Sequence, residues 1–417
     1  MAGPTSSRTR TDDPAARWAA SGAAALSGPP PGGRLGPPSR LVAQLLSIGE
    51  RLVSTATGWG HPLDVDWLAL LGERAALDGL VARGRSSCGG AARLMRCADG
   101  WVAISLARPS DTELLPAWLA LAGDPDPWRA PRPPTMAPPA ERWLAPEATW
   151  GALATHVRGR SGAALSSAAG VVGLPAGVLG ERGAAPDGGV ELHVVEPARP
   201  DISPPRRVLD LSTLWAGPLC ASLLAACGAE VVKVSSRHRP DGAAAGNPTW
   251  YRLLNDDKHH VELALDTTTG REELARLVAT ADVVVESARP RGLEQMGIIA
   301  TEVMASHDGP RAWVSITGHG RASSRVAFGD DAAVAGGLVV HDGEGPWFCA
   351  DAVADPLSGI TAADAAMQCL ATGRRALVEV SMSGVAAAHA GPTLPASGTV
   401  RPPRARLGTT AAAGDRP

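Results

Sequence analysis

The chain is poor in the features that mark several common protein classes. Its six cysteines, at positions 88, 97, 220, 227, 349 and 369, include no CxxC pair and no His/Cys spacing that suits zinc, which argues against a metal site or redox dithiol. Reduced, mostly buried thiols are expected instead, with Cys220 and Cys227 on one face of a predicted helix. No apolar run reaches the ~18 residues a membrane span needs. The opening MAGPTSSRTRTDDPAARW carries aspartates where a secretory leader is purely basic, so a cytoplasmic protein without membrane contact is expected. The 39 basic residues are scattered and the net charge is −3, leaving no footprint for nucleic acid. Tyrosine and phenylalanine are scarce, one and two against 12 tryptophans. That bias says little about function.

What is present is length and apolar mass. With 417 residues, 45% hydrophobic, the chain has material for more than one core, and two domains plus tails are expected. Residues 1–40, ending in GPPPGGRLGPPSR, read as a disordered arm because Pro, Gly, Ser and Arg bury too little surface to offset ordering. Residues 41–200 are expected to form a first, smaller α+β domain. LVAQLLSIGERLV and WLALLGERAALDGL have helical periodicity, and RLMRCADGWVAISLA reads as two short strands around an Asp-Gly turn. A Pro-rich insertion near 124–141 interrupts this domain. A linker follows from about Arg182 to Arg206, and residues 388–417 read as a flexible tail.

Between them, residues 206–386 alternate strand and helix: RVLDLS, PLCASLLAACG, EVVKVS, HVELALD, GREELARLVATA, DVVVES, AWVSIT, ITAADAAMQCLATG and ALVEVSM. Such alternation predicts the α/β class, a Rossmann-like parallel sheet flanked by helices. A nicotinamide cofactor is a poor fit. LSTLWAGPLC has one glycine where the dinucleotide fingerprint wants three, and KVSSRH offers no acid for a ribose hydroxyl. The first turn still has backbone N–H groups to offer a phosphate.

The order and spacing of RVLDLSTLWAGPLCASLLAACGAEVVKV, LLNDDKHHVELALDTTTGREELARLVATADVVVESARPRGLEQMGI, AWVSITGHG, AFGDDAAVAGGL and ADPLSGITAADAAMQCLATGRRALVEVSM resemble the large domain of the class III CoA-transferases. That superfamily includes formyl-CoA transferase, carnitine CoA-transferase and α-methylacyl-CoA racemase. The resemblance implies an acyl-CoA:carboxylate CoA-transferase, with an acyl-CoA donor and a carboxylic acid acceptor as partners. Coenzyme A is then substrate, with no cofactor bound permanently. It also implies an aspartyl anhydride, an aspartyl-CoA thioester and a homodimer.

In the matching positions, Asp355 is the implied nucleophile, and Gly359 would let backbone N–H groups approach a developing oxyanion. Asp355 lies where a predicted helix begins, so the helix end would keep it ionised. The bland alternative is an ordinary N-cap before Pro356. CoA contacts are implied for Trp215, Ala216, Arg237, Leu263, Ala264, Leu265, Ser287, Ala288, Arg289 and Arg325, with solvated surface as the alternative for the arginines. Trp215 stands where relatives carry a polar residue. Ser235 and Ser236 follow EVVKV, with charge displaced to Arg237, His238 and Arg239. Asp266 replaces a common lysine and so removes a phosphate contact.

Racemase-like members use a His-Asp pair near the position of Gly329-Asp330-Asp331. Aspartate there favours transfer over racemisation, the alternative role being a capping pair. RSSCGGAARLMRCADGWVAISLA and VVGLPAGVLGE resemble the family's smaller domain, which normally follows the catalytic segment but here precedes it. Two further readings stay open: an acyl-CoA racemase or isomerase, and a catalytically degenerate CoA-binding partner subunit.

Overall fold

Strand-forming segments with different patterning build two main sheets in the computed structural model, which describes residues 13–123, 144–195, 202–287, 290–306 and 309–406. The smaller sheet is antiparallel, with β1 (Ala92–Arg96), β2 (Trp101–Ser105) and β3 (Ala176–Val178) in that order. Its first hairpin turns through Asp99-Gly100, with Arg96 opposite Trp101. Successive strand residues face opposite ways. Val102 and Ile104 therefore join Trp118, Leu153 and Leu165 from helices Leu115–Leu121, Glu147–Arg158 and Gly162–Val172. Ala103 instead meets Val334 of the larger unit.

The larger sheet contains β4 (Val190–Val194), β5 (Arg207–Asp210), β6 (Glu230–Ser236), β7 (His259–Leu263), β8 (Val283–Glu286) and β9 (Ala312–Thr317). After a hairpin of β10 (Val340–Asp342) and β11 (Gly345–Trp347), it is completed by β12 (Ala376–Ser381). The order is β4-β12-β9-β8-β5-β6-β7. All neighbours run parallel except β4, which is antiparallel to β12. The uninterrupted VVV of β8 is what a strand covered on both faces requires. Val283 and Val285 pack with helices Leu41–Gly58, Ala216–Ala226 and Ala354–Ala371. Val284 faces Leu274 and Met304 on the other side. The α/β class with a smaller α+β unit is thus the observed one. Among the described residues no helix is long and apolar enough to cross a membrane.

The terminal and linker expectations need correction. Residues 13–40 are folded onto the body: helix Pro14–Ser21 is capped by Asp13 and buries Trp18 completely. One tryptophan in an Ala-rich turn outweighs the Pro/Gly average that suggested disorder. Helix Leu41–Gly58 packs on the larger sheet's core, not on the smaller unit. The presumed linker supplies β4, and residues 390–406 form a strap rather than a tail. Gly36 and Ser39 donate to Leu394 and Pro392 carbonyls, and Arg406 grips Glu73. The Pro-rich insertion, residues 1–12 and residues 407–417 lie outside the described residues.

Candidate active site

In an open parallel sheet, ligand sites form beyond the carboxyl ends of the strands, where the loops diverge. Segments following β5, β6 and β9 here meet the β1–β2 side of the smaller unit around a cavity of about 340 Å³. The larger unit contributes Leu214, Trp215, Gly242, Trp250, Phe328, Asp330 and Asp355. Ser87, Ala91 and Ser105 close it from the smaller unit, and Arg74 enters from helix Glu73–Asp78.

The backbone around this cavity is unusual. Among the described residues, the non-glycine positions with positive φ are Leu214 (67°), Ala350 (52°) and Ala352 (44°). Two of them line the cavity. A left-handed non-glycine residue stores on the order of 1–3 kcal/mol and persists only when its surroundings dictate it. Both Asp241 oxygens accept the Leu214 N–H at 3.2 Å. Ser27 Oγ accepts from Ala350 at 2.8 Å, and Asp330 Oδ1 accepts from Ala352 at 3.2 Å.

Asp355 is the second residue of helix Ala354–Ala371, inside its first turn rather than at the cap position, which Val353 occupies. Its Oδ2 accepts the Gly329 N–H at 3.2 Å, a donor from another helix. A Cβ at Gly329 would collide with that carboxylate and with the Ala352 carbonyl. The helix end does not keep Asp355 at an ordinary carboxylate value, because burial dominates and pushes it up to about 7. Arg74 pulls against that rise, while Asp330 and Asp351 add to it. Burial and then Asp351 likewise raise Asp330 to about 6. Burial lifts Asp331 to about 7, although it accepts from Ser105 Oγ at 2.6 Å and from the Phe328 N–H at 3.1 Å. Asp331 therefore caps its helix and ties the two units together. Asp330 instead faces the cavity.

The remaining expected residues divide sharply. Trp215 lines the cavity, its ring 4.8 Å from Trp250 edge-on and 5.0 Å from the Arg74 guanidinium carbon. Ala216 opens the following helix, and its carbonyl lies 2.5 Å from where a Gly359 Cβ would stand. Gly359 thus meets a packing requirement between two helices and is not among the cavity-lining residues. Arg237, Leu263, Ala264 and Leu265 cluster at the ends of β6 and β7, away from that lining. Arg237 donates to Glu262 at 3.1 Å, and its backbone N–H donates to the Leu263 carbonyl. Ala264 accepts twice from Thr267, and Leu265 packs on the core beneath. Ser287 Oγ accepts the Thr213 N–H at 3.0 Å, bridging β8 to the β5 turn. Arg325 is occupied by Glu181 at 2.6 Å and by the Ala176 carbonyl at 2.9 Å. That geometry makes it a tie to the smaller unit rather than an open phosphate contact. Ala288 and Arg289 lie outside the described residues.

Sequence reasoning missed Arg74, Ser87 and Asp351. Asp351 and Asp355 do stand out as carboxylates in the otherwise uncharged run FCADAVADPLSG. Arg74, in contrast, looks like any surface-helix charge. All six cysteines are free and buried. Among the described residues the one grouping with metal-ligand chemistry is Glu191, His193 and Glu379, across β4 and β12 and outside the cavity. Its members already pair with one another, and Arg321 lies 3.7 Å from Glu379.

A parallel sheet with a buried aspartate at the end of its crevice defines the class, and comparison with known proteins defines the family. The profile of CoA-transferase family III matches residues 206–414, and the chain belongs to that family. A succinyl-CoA–D-citramalate CoA-transferase of Chloroflexus aurantiacus is 32% identical over 150 residues, covering 32% of this chain and 37% of that protein. A formyl-CoA:oxalate CoA-transferase of Escherichia coli is 31% identical over 98 residues, 22% and 24% of the two chains. The matches therefore span well under half of these relatives. A crystal structure of a CaiB/BaiF family protein from Brucella suis aligns with TM-score 0.41 and 26% identity, over 44% of this chain and 53% of that one.

Proposed function

We propose that this protein is an acyl-CoA:carboxylate CoA-transferase with Asp355 as nucleophile. The observation that carries the reading is the position of Asp355: the carboxylate implied by family resemblance lines the cavity between the two units. An Asp355 oxygen attacks the donor thioester carbon and the C–S bond breaks, giving an anhydride and CoA thiolate. The thiolate attacks the Asp355 carbonyl, releasing the donor acid and leaving an aspartyl-CoA thioester. The acceptor carboxylate reverses these two steps. Burial that raises Asp355 to about 7 also makes its ionised form more basic than a solvated carboxylate, which favours attack.

The Gly329 N–H holds one Asp355 oxygen, leaving the other for the substrate. Trp215 and Trp250 supply apolar walls that exclude water from the anhydride. In this reading the protein is a cytoplasmic homodimer that takes CoA only as substrate, with Arg237 and the β7 end meeting its phosphates. Incubation with acyl-CoAs from formyl- to steroid-sized donors, followed by borohydride and mass spectrometry, should label Asp355. Absence of label across the panel sinks the reading. Asp330 in the same cavity favours one second reading, α-proton exchange on an acyl-CoA. Deuterium uptake from solvent at the α-carbon without CoA transfer would establish it. Calorimetric CoA binding with neither reaction would instead establish a binding subunit.

A further inference from the structure

Arg74 is the one cationic side chain among the described residues lining the cavity, and it precedes the family-matched segment. Its short helix is pinned from two sides. Glu73 is 1% exposed and accepts from Arg406 at 2.7 and 2.9 Å. The fully buried Asp351 accepts from Arg74 Nε at 2.9 Å and Nη2 at 2.6 Å. That pair occupies one edge of the guanidinium. Nη1 has no hydrogen-bond partner among the described residues, and 23% of the side chain is exposed where it borders the cavity. The Trp215 ring lies against the guanidinium at 5.0 Å, so a carboxylate and an aromatic face fix its orientation. A guanidinium edge held in this way is matched to a planar oxyanion.

Charge decides when such an anion enters. At rest, Asp355, Asp330 and Asp351 surround a single arginine, whose charge they all sense. A free carboxylate then meets mostly repulsion. Once Asp355 carries CoA as a thioester it is uncharged, and the balance shifts toward Arg74.

We propose that Arg74 is the acceptor-binding residue, its Nη1 edge taking one oxygen of the incoming carboxylate while the other oxygen faces the Asp355 thioester carbon. The free oxygen bonds to that carbon, the C–S bond breaks, and CoA leaves as thiolate. The thiolate then attacks the acceptor's acyl carbon, forming the new thioester and returning Asp355 as carboxylate. No oxidant or reductant is needed. The inference rests on the transferase reading for its thioester.

The test separates the two half-reactions in the full chain. Arg74→Lys and the charge-neutral double variant Arg74→Met/Asp351→Asn are loaded with whichever panel donor labels Asp355, and the thioester is trapped by borohydride. Loading at saturating donor should still reach the wild-type extent, while consumption of the preformed thioester by low concentrations of acetate, oxalate or succinate slows roughly 10- to 100-fold. Arg74→Lys should show the smaller loss, through the apparent KM for the acid. Wild-type consumption in a folded variant overturns the proposal, as does failure of loading, which would assign Arg74 to the donor step. If the double variant does not fold, Arg74→Lys, which keeps Asp351 paired, decides. No label on the wild type itself overturns the transferase reading and this inference together; normal label with consumption indifferent to position 74 overturns the inference alone.

Discussion

The two walls of the cavity teach different things. The wall from residues 206–406 is built by regular means: a parallel sheet, loops at its carboxyl ends, and a long helix that brings Asp355 to the crevice. The wall from residues 73–107 is a short helix and an antiparallel hairpin with little regular structure near the cavity. It nevertheless supplies the cavity's cation and the Ser105 hydroxyl that meets Asp331. One wall holds the buried acids, and the other makes their burial tolerable. Uncompensated, desolvated carboxylates of this kind cost several kcal/mol.

That division is breakable, first and most severely at Asp355. Asp355→Asn should lower transfer by at least about 10³-fold and abolish trapping. The same variant should unfold at higher denaturant than wild type at pH 8, by about 1–3 kcal/mol, because a buried charge is gone. Unfolding midpoints on both proteins check this, and a destabilised variant would mean that Asp355 is held by structural contacts instead.

Stability against pH follows from the same groups. Asp330, Asp331 and Asp355 are raised to about 6, 7 and 7, so the folded protein holds these protons more tightly than the unfolded chain. Their stabilising contribution is complete below about pH 4 and is lost as pH rises through about 6 to 7. Transfer should rise over that same upper range as Asp355 ionises. Denaturation midpoints at pH 5 and pH 8, set beside the pH–rate profile, should move in opposite directions.

Packing between the helices offers a sharper and smaller test. Gly359→Ala places a methyl 2.5 Å from the Ala216 carbonyl and should destabilise by about 1–3 kcal/mol. A loss of transfer without loss of stability would restore the expectation that this glycine serves an oxyanion. Across the walls, Ser105→Ala removes a donor from Asp331. It should cost about 1–2 kcal/mol at pH 8, where Asp331 is ionised, and less at pH 5. Smallest is Arg237→Ala. Arg237 and Glu262 are both 59% exposed, so stability should change by less than about 0.5 kcal/mol. A calorimetric CoA affinity weakened about three- to tenfold would place that arginine at the phosphates.

Some of this was open to reading from the chain alone. Period and alternation over 206–386 predict the parallel sheet, since apolar strands such as DVVVES and apolar helices such as PLCASLLAACG suit a sheet covered on both faces. The carboxylate at 355 stands out because it sits in an apolar run and in a recognisable segment. Local sequence also determines the β1–β2 hairpin through its Asp-Gly turn.

Tertiary structure alone decided the rest. Residues 13–40 and 390–406 supply hydrogen-bond partners to each other, and each also packs on or pairs with the body through Trp18 and Arg406. Composition, which averages each segment in isolation, misses that pairing. Arg74 and Asp351 are 277 residues apart, and no local pattern announces a pair at that separation. Nor does Asp355 show its raised proton affinity in sequence, where a helix start favours ionisation. Desolvation depends on everything packed around a group, and here it outweighs the helix end.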